Sequence, residues 1–168
     1  MKKILLGIVL LIPLLFCTGI YIYRSVVFDI NCGDRIKRAA DANTIELATK
    51  EMEAVVNYIE AEGMTSGYTS VIYRTPDEDV TFWYNNLKSS LGELKKVKPE
   101  TSQLERSNLL IKLRETLLDN NNGSVSVTAP KGISVYPNNT AFAILCIFGI
   151  IIFIIGVVLI FIGYSEDY

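Results

Sequence analysis

Residues 4–23 read ILLGIVLLIPLLFCTGIYIY and residues 141–163 read AFAILCIFGIIIFIIGVVLIFIG, with no charged side chain in either stretch. A helix rises ~1.5 Å per residue, so about 20 apolar residues cross a hydrocarbon core ~30 Å thick. Both stretches reach that length, and nearly everything polar lies between them. The pattern predicts a mainly α membrane protein whose two transmembrane helices flank one water-exposed domain, residues 24–140. The mean hydropathy of +0.32 averages very apolar ends with an ordinary polar middle.

Orientation follows from Lys2 and Lys3, the only basic residues in a short flank. The positive-inside rule puts residues 1–3 in the cytoplasm, and two spans return residues 164–168 to the same side. The middle is then extracytoplasmic, and the Met-Lys-Lys-Ile-Leu-Leu opening points to a bacterial inner membrane. The competing reading is a cleaved signal peptide ending near Cys17-Thr18-Gly19. Apolar character continues past that point through Ile20–Tyr23 and resumes at Val26-Val27-Phe28, as an uncleaved anchor requires. Tyr21, Tyr23 and Tyr164 suit the interfacial aromatic belt, and Pro13 predicts a kink by freeing the Val9 carbonyl.

Within the second span Gly149, Gly156 and Gly163 recur every seven residues, and Cys146 stands three before the first. Seven residues bring a helix back to within ~20° of the same face, so these four form one small-residue stripe, a candidate packing seam. Its partner is the first span or another copy. Cys17 and Cys146 lie at matching depths, as antiparallel neighbours would place them. Neither span carries Asp, Glu, Lys, Arg, Asn or Gln, which argues against an ion path or proton relay.

The 117-residue middle holds 14 Lys/Arg and 16 Asp/Glu, without the basic excess of a nucleic-acid surface. The chain has no histidine, which removes the commonest general base and metal ligand. Cys32 is the one cysteine of the domain: a buried thiol, or a thiol that bridges to another chain.

Periodicity predicts about three amphipathic helices and a small β-hairpin. Ile36, Ala40, Ile45, Ala48, Met52, Val55 and Ile59 form one apolar face of a first helix, closed by Glu62-Gly63. A turn over residues 63–67 leads to an extended segment or loop, 68–73. Thr75-Pro76 with Asp77, Glu78 and Asp79 predicts a helix start, with Thr75 as the cap. That helix turns Val80, Trp83, Leu87, Leu91 and Leu94 inward and stops before Pro99. The three acids lack the alternating ligands and central glycine of a Ca²⁺ loop. A third helix over about 100–119 places Leu104, Leu110, Leu113 and Leu117 on one face, with Asn120–Gly123 as its stop. The hairpin is expected around Ala129-Pro130-Lys131-Gly132, pairing Val125 and Val127 with Ile133 and Val135. Asn138-Asn139-Thr140 caps the second span. Asn122-Gly123-Ser124 and Asn138-Asn139-Thr140 match the glycosylation acceptor pattern. The first is explained by a turn, and the second lies close to the membrane.

No nucleophile elbow, phosphate loop or paired-cysteine motif occurs, and the expectation is no catalytic, cofactor or metal site. Tyr68, Tyr73, Phe82 and Tyr84, with Trp83 among them, are the candidate partner or ligand surface, core filling being the alternative. The functional expectation is a non-enzymatic, membrane-anchored interaction or scaffold protein that docks onto another envelope component or onto itself. The alternative is a ligand-sensing or regulatory subunit passing its signal laterally through the spans. The expected partners are the lipid bilayer and a protein or second copy, not nucleic acid.

Overall fold

A computed structural model describes residues 1–121 and 123–166. The chain is mainly helical with one small two-stranded antiparallel sheet, and two of its helices are long and apolar enough to cross a membrane. It divides into two compact units: Met1–Ser25 with the segment from Asn138 onward, and Val26–Pro137.

The first unit is a pair of helices, α1 (Lys2–Phe28, which leaves this unit after Ser25) and α6 (Asn139–Glu166). Both extend beyond the apolar stretches that define them, because the helix continues into flanking residues that still satisfy its backbone. Asp167 and Tyr168 of the expected tail lie outside the described residues. Glycine decides where the two helices touch. A Cβ built on Gly7 would lie 2.6 Å from the Gly156 carbonyl oxygen, and one on Gly156 would lie 2.8 Å from that of Gly7. Backbone therefore meets backbone, which side chains would prevent. Apolar side chains around the rest of both helices, including Leu5, Ile12, Leu15, Ile147, Ile154 and Phe161, are exposed.

The second unit starts with a π-helical turn, Asp29–Gly33, and α2 (Asp34–Ala40). Next come α3 (Ile45–Ala61), α4 (Val80–Lys95) and α5 (Gln103–Leu117). Helix α3 packs against α2, α4 and α5. The apolar face expected from Ile36 to Ile59 is buried throughout. It belongs to two helices rather than one, because the chain breaks at Asp41–Asn43. Thr44 then turns extended and accepts from the Leu47 amide at 3.2 Å, an N-cap that restarts the helix. Among its described residues the domain thus has four α-helices where the periodicity suggested about three. A Schellman motif closes α3: the Met64 amide donates to the Ile59 carbonyl and Gly63 (φ +71°) donates to Glu60. Met64 and Ile59 are both buried, which is the apolar contact that accompanies this motif.

Two more expectations need correction. Pro76–Glu78 forms only a 3₁₀ turn, and Asp79 is the residue that caps α4, accepting from the Phe82 amide at 3.0 Å. The Thr75 hydroxyl donates to the Glu78 carboxylate instead. The hairpin lies one segment earlier than expected. Strand β1 (Leu118–Asn121) pairs with β2 (Ser124–Val127), Leu118 opposite Val127 and Asn121 opposite Ser124. After β1, Gly123 takes φ +83°, the left-handed conformation that a tight hairpin turn favours. Asn122 lies outside the described residues, and with it the acceptor position of the first glycosylation pattern. Residues Ile133–Val135 form a 3₁₀ turn whose ends are buried, not a strand. On α5, Leu113 and Leu117 are buried and Leu110 is half-buried, but Leu104 is 72% exposed. The first turn of α5 runs past the edge of the core. Ser102 caps it by accepting from the Glu105 amide at 3.2 Å.

Candidate interaction surfaces

The loop between α3 and α4 is closed at its base. Tyr68 bridges Asp79, the Thr69 amide donates to the Glu78 carbonyl at 3.0 Å, and the Val80 amide donates to the Gly67 carbonyl at 2.9 Å. The Gly67 amide in turn donates to the Thr81 hydroxyl at 2.9 Å. Gly67 has φ +101°, and a Cβ there would meet the Tyr136 hydroxyl at 2.5 Å, so glycine is required twice over. Tyr136 donates that hydroxyl to the Ser66 carbonyl. With its ends fastened, the segment projects as a loop of the Ω kind.

Its tip is apolar and exposed. Ile72 is 82% and Tyr73 78% exposed, and Val71 is exposed beside them. Tyr68 is half-buried, with the Arg74 guanidinium 5.4 Å from its ring centroid. Phe82, in the first turn of α4, is 65% exposed. Of the four aromatic residues singled out from sequence, Tyr73 and Phe82 are therefore surface groups and Tyr68 is intermediate.

Tyr84 is not on the surface. Its ring is buried, and its hydroxyl donates to Glu60 Oε1 at 2.5 Å while accepting from Lys88 Nζ at 2.9 Å. Lys88 also donates to Glu60 at 3.2 Å. The Tyr84 hydrogen bond, with that from Lys88, holds the Glu60 carboxyl below its ordinary range. The same groups raise the Lys88 ammonium, the bond to Tyr84 first. This trio ties α3 to α4. Trp83, beside it, is buried and donates Nε1 to the Thr128 carbonyl at 2.7 Å, which pins the exit of β2 to α4.

Cys32 is fully buried among α2 and α3, so it cannot bridge to another chain in this fold. Burial first, and the Asp29 carboxylate second, push its thiol up to about 12. Buried Glu51 accepts from Arg38 at 2.7 Å and Arg35 at 3.1 Å, holding α2 to α3.

Two grooves mark the domain surface. One, of about 840 Å³, is lined by Arg35, Lys37, Arg38, Asp34 and Asp41 and is of mixed charge. The other, of about 500 Å³, lies between the start of α4 and β2 and is lined by Asp77, Asp79, Phe82, Trp83, Asp119 and Lys131. Among the described residues no three His, Cys, Asp or Glu side chains group as metal ligands.

In the helix pair, Gly149 faces Leu14, with a built Cβ 3.6 Å from the Leu14 Cα, and Gly156 meets Gly7. Gly163 abuts Ile4, where a Cβ would come 2.8 Å from Cγ1. The small-residue stripe thus sits against α1. Cys146, its fourth member, faces Cys17 on α1. Sequence spacing did not reveal Gly7, because one glycine in an apolar stretch has no repeat to betray it. No family model matches this chain, and no match is found among the curated proteins or the solved structures.

Proposed function

We propose that this chain is a non-enzymatic, membrane-anchored interaction protein of a bacterial plasma membrane. Helices α1 and α6 span the bilayer with both termini on the cytoplasmic side, and the domain between docks onto another envelope protein or a second copy. Anchoring is supported by the apolar side chains that cover the outside of the helix pair. The core helix of a water-soluble protein would bury such groups, whereas lipid solvates them. Lys2 and Lys3 supply the orientation.

The observation that carries the docking reading is the fastened loop with Val71, Ile72 and Tyr73 at its tip. Loop tips in water are ordinarily polar, and consecutive exposed apolar side chains fixed by a closed base mark a contact surface. Two χ angles give the tyrosine a large contact area at small entropic cost, as in known recognition loops.

The test is a photo-crosslinking side chain at Ile72, placed in the full-length chain in its native membrane. Docking predicts one discrete protein adduct, either a partner or a second copy, and none from the same group at exposed Lys50. Equal crosslinking from both positions, or none from Ile72, refutes the surface. Release of the chain from washed membranes by urea refutes the anchoring separately.

A further inference from the structure

One antiparallel register runs the length of the helix pair. Tyr21 stacks on Phe142 with ring centroids 5.9 Å apart. Four residues further along each helix stand Cys17 and Cys146; three further, Leu14 backs onto Gly149; seven further, Gly7 meets Gly156. The cysteines are therefore opposite one another, bracketed on one side by a ring contact and on the other by helix backbones in close approach. Both are free thiols, Cys17 buried and Cys146 half-buried.

We propose that Cys17 and Cys146 form a dithiol site that a lipid-soluble two-electron acceptor of the quinone class oxidises to an intrachain disulfide. The two S–H bonds break and one S–S bond forms. Two electrons and two protons pass to the quinone, which leaves as the hydroquinone. The disulfide is neutral, so apolar surroundings impose no charge penalty on the product. Two thiolates on a soft monovalent ion would leave a net negative charge in the same surroundings, which disfavours metal capture. Cys17 is covered by α6, which excludes a bridge from it to another chain. The bond fixes α1 and α6 in their glycine-set register and prevents either from exchanging partners. The bond itself depends on the packing of the pair, while the class of oxidant rests on the membrane reading above.

The experiment uses the full-length chain in lipid vesicles, treated with a short-chain ubiquinone. Its fully substituted ring leaves no open position for thiol addition. A urea wash of a separate aliquot reports whether the chain stays in the membrane, so failure of the anchoring is distinguishable from failure of the bond. The expected product is lighter by two hydrogen atoms and yields one linked peptide pair containing positions 17 and 146. After unfolding, only Cys32 takes maleimide, and dithiothreitol restores all three. One quinone is reduced per chain, and Cys32→Ser changes none of this except the remaining label. An unchanged mass with three maleimides on the unfolded chain overturns the proposal. So does a link that involves Cys32 or joins two chains.

Discussion

Raising the pH should destabilise the domain through Cys32. Its thiol is fully buried and ionises only at about 12, against 9.0 for an exposed cysteine. Because the folded value is the higher one, the folded chain keeps its proton where the unfolded chain has lost it. The contribution is therefore fully present below pH 9 and is lost as pH rises toward 12. Each unit of separation is worth ~1.4 kcal/mol, so about three units give a loss of roughly 4 kcal/mol by pH 12. Over the accessible interval from pH 8 to pH 10, a tenfold excess of thiolate in the unfolded chain gives a loss of about 1 kcal/mol. Trp83 is the only tryptophan and is buried in this domain, so its fluorescence follows urea unfolding of this unit in the full-length protein in detergent. Cys32→Ala removes the titrating group while leaving every tyrosine and lysine in place. It lowers stability at pH 8 by about 1 kcal/mol for the lost sulfur. Between pH 8 and pH 10 the original chain then loses about 1 kcal/mol more than the variant. Parallel pH profiles would rule out Cys32 as the titrating group, as would alkylation of Cys32 in the folded chain as fast as in urea.

At the start of α4, Asp79→Ala should cost ~1 kcal/mol in the same urea titration, whereas Thr75→Ala stays within ~0.5 kcal/mol; equal losses would restore Thr75 as the cap. Tyr84→Phe keeps the buried ring but removes the hydrogen bond that holds Glu60 low. Glu60 stabilises the fold above the ordinary carboxylate range, and that contribution is lost as pH falls through its depressed value. The variant should therefore show a flatter acid limb, and an unchanged limb would sink the coupling. In the helix pair, Gly156→Leu forces atoms into the Gly7 carbonyl and Leu10. Overpacking of this kind costs ~1–3 kcal/mol, so iodine-driven linking of Cys17 to Cys146 should slow about tenfold. Gly19→Leu, where a Cβ meets nothing within 4 Å, should leave that rate unchanged.

Much of the helical framework was legible because helix information is local. Apolar residues three and four apart mark a buried face whatever they pack against, so Ile36 to Ile59 and Val80 to Leu94 were readable directly. The break between α2 and α3 shows in the sequence only as the five-residue step from Ala40 to Ile45, ~140° off a helical face, within a run otherwise spaced three and four apart. The hairpin was misplaced because Asn120–Gly123 serves equally as a helix stop and as a tight turn. Only a pairing partner tells the two apart, and Leu118 to Asn121 became a strand because Ser124 to Val127 lies alongside.

Local sequence is enough to place the two apolar helices, the matching positions of Cys17 and Cys146 along them, and most of the faces that the domain buries. These follow from hydropathy and from a fixed rise and turn per residue. Tertiary structure alone decided which aromatics are surface groups. Trp83 and Tyr84 point ~100° apart on α4, so one apolar stripe cannot bury both. They are both buried because α4 meets two neighbours, Glu60 on α3 taking the tyrosine hydroxyl and the Thr128 carbonyl taking the indole. Phe82 and the tip at Ile72 and Tyr73 stay exposed. The close approach of Gly7 to Gly156 was decided the same way, by which helix comes to lie against which.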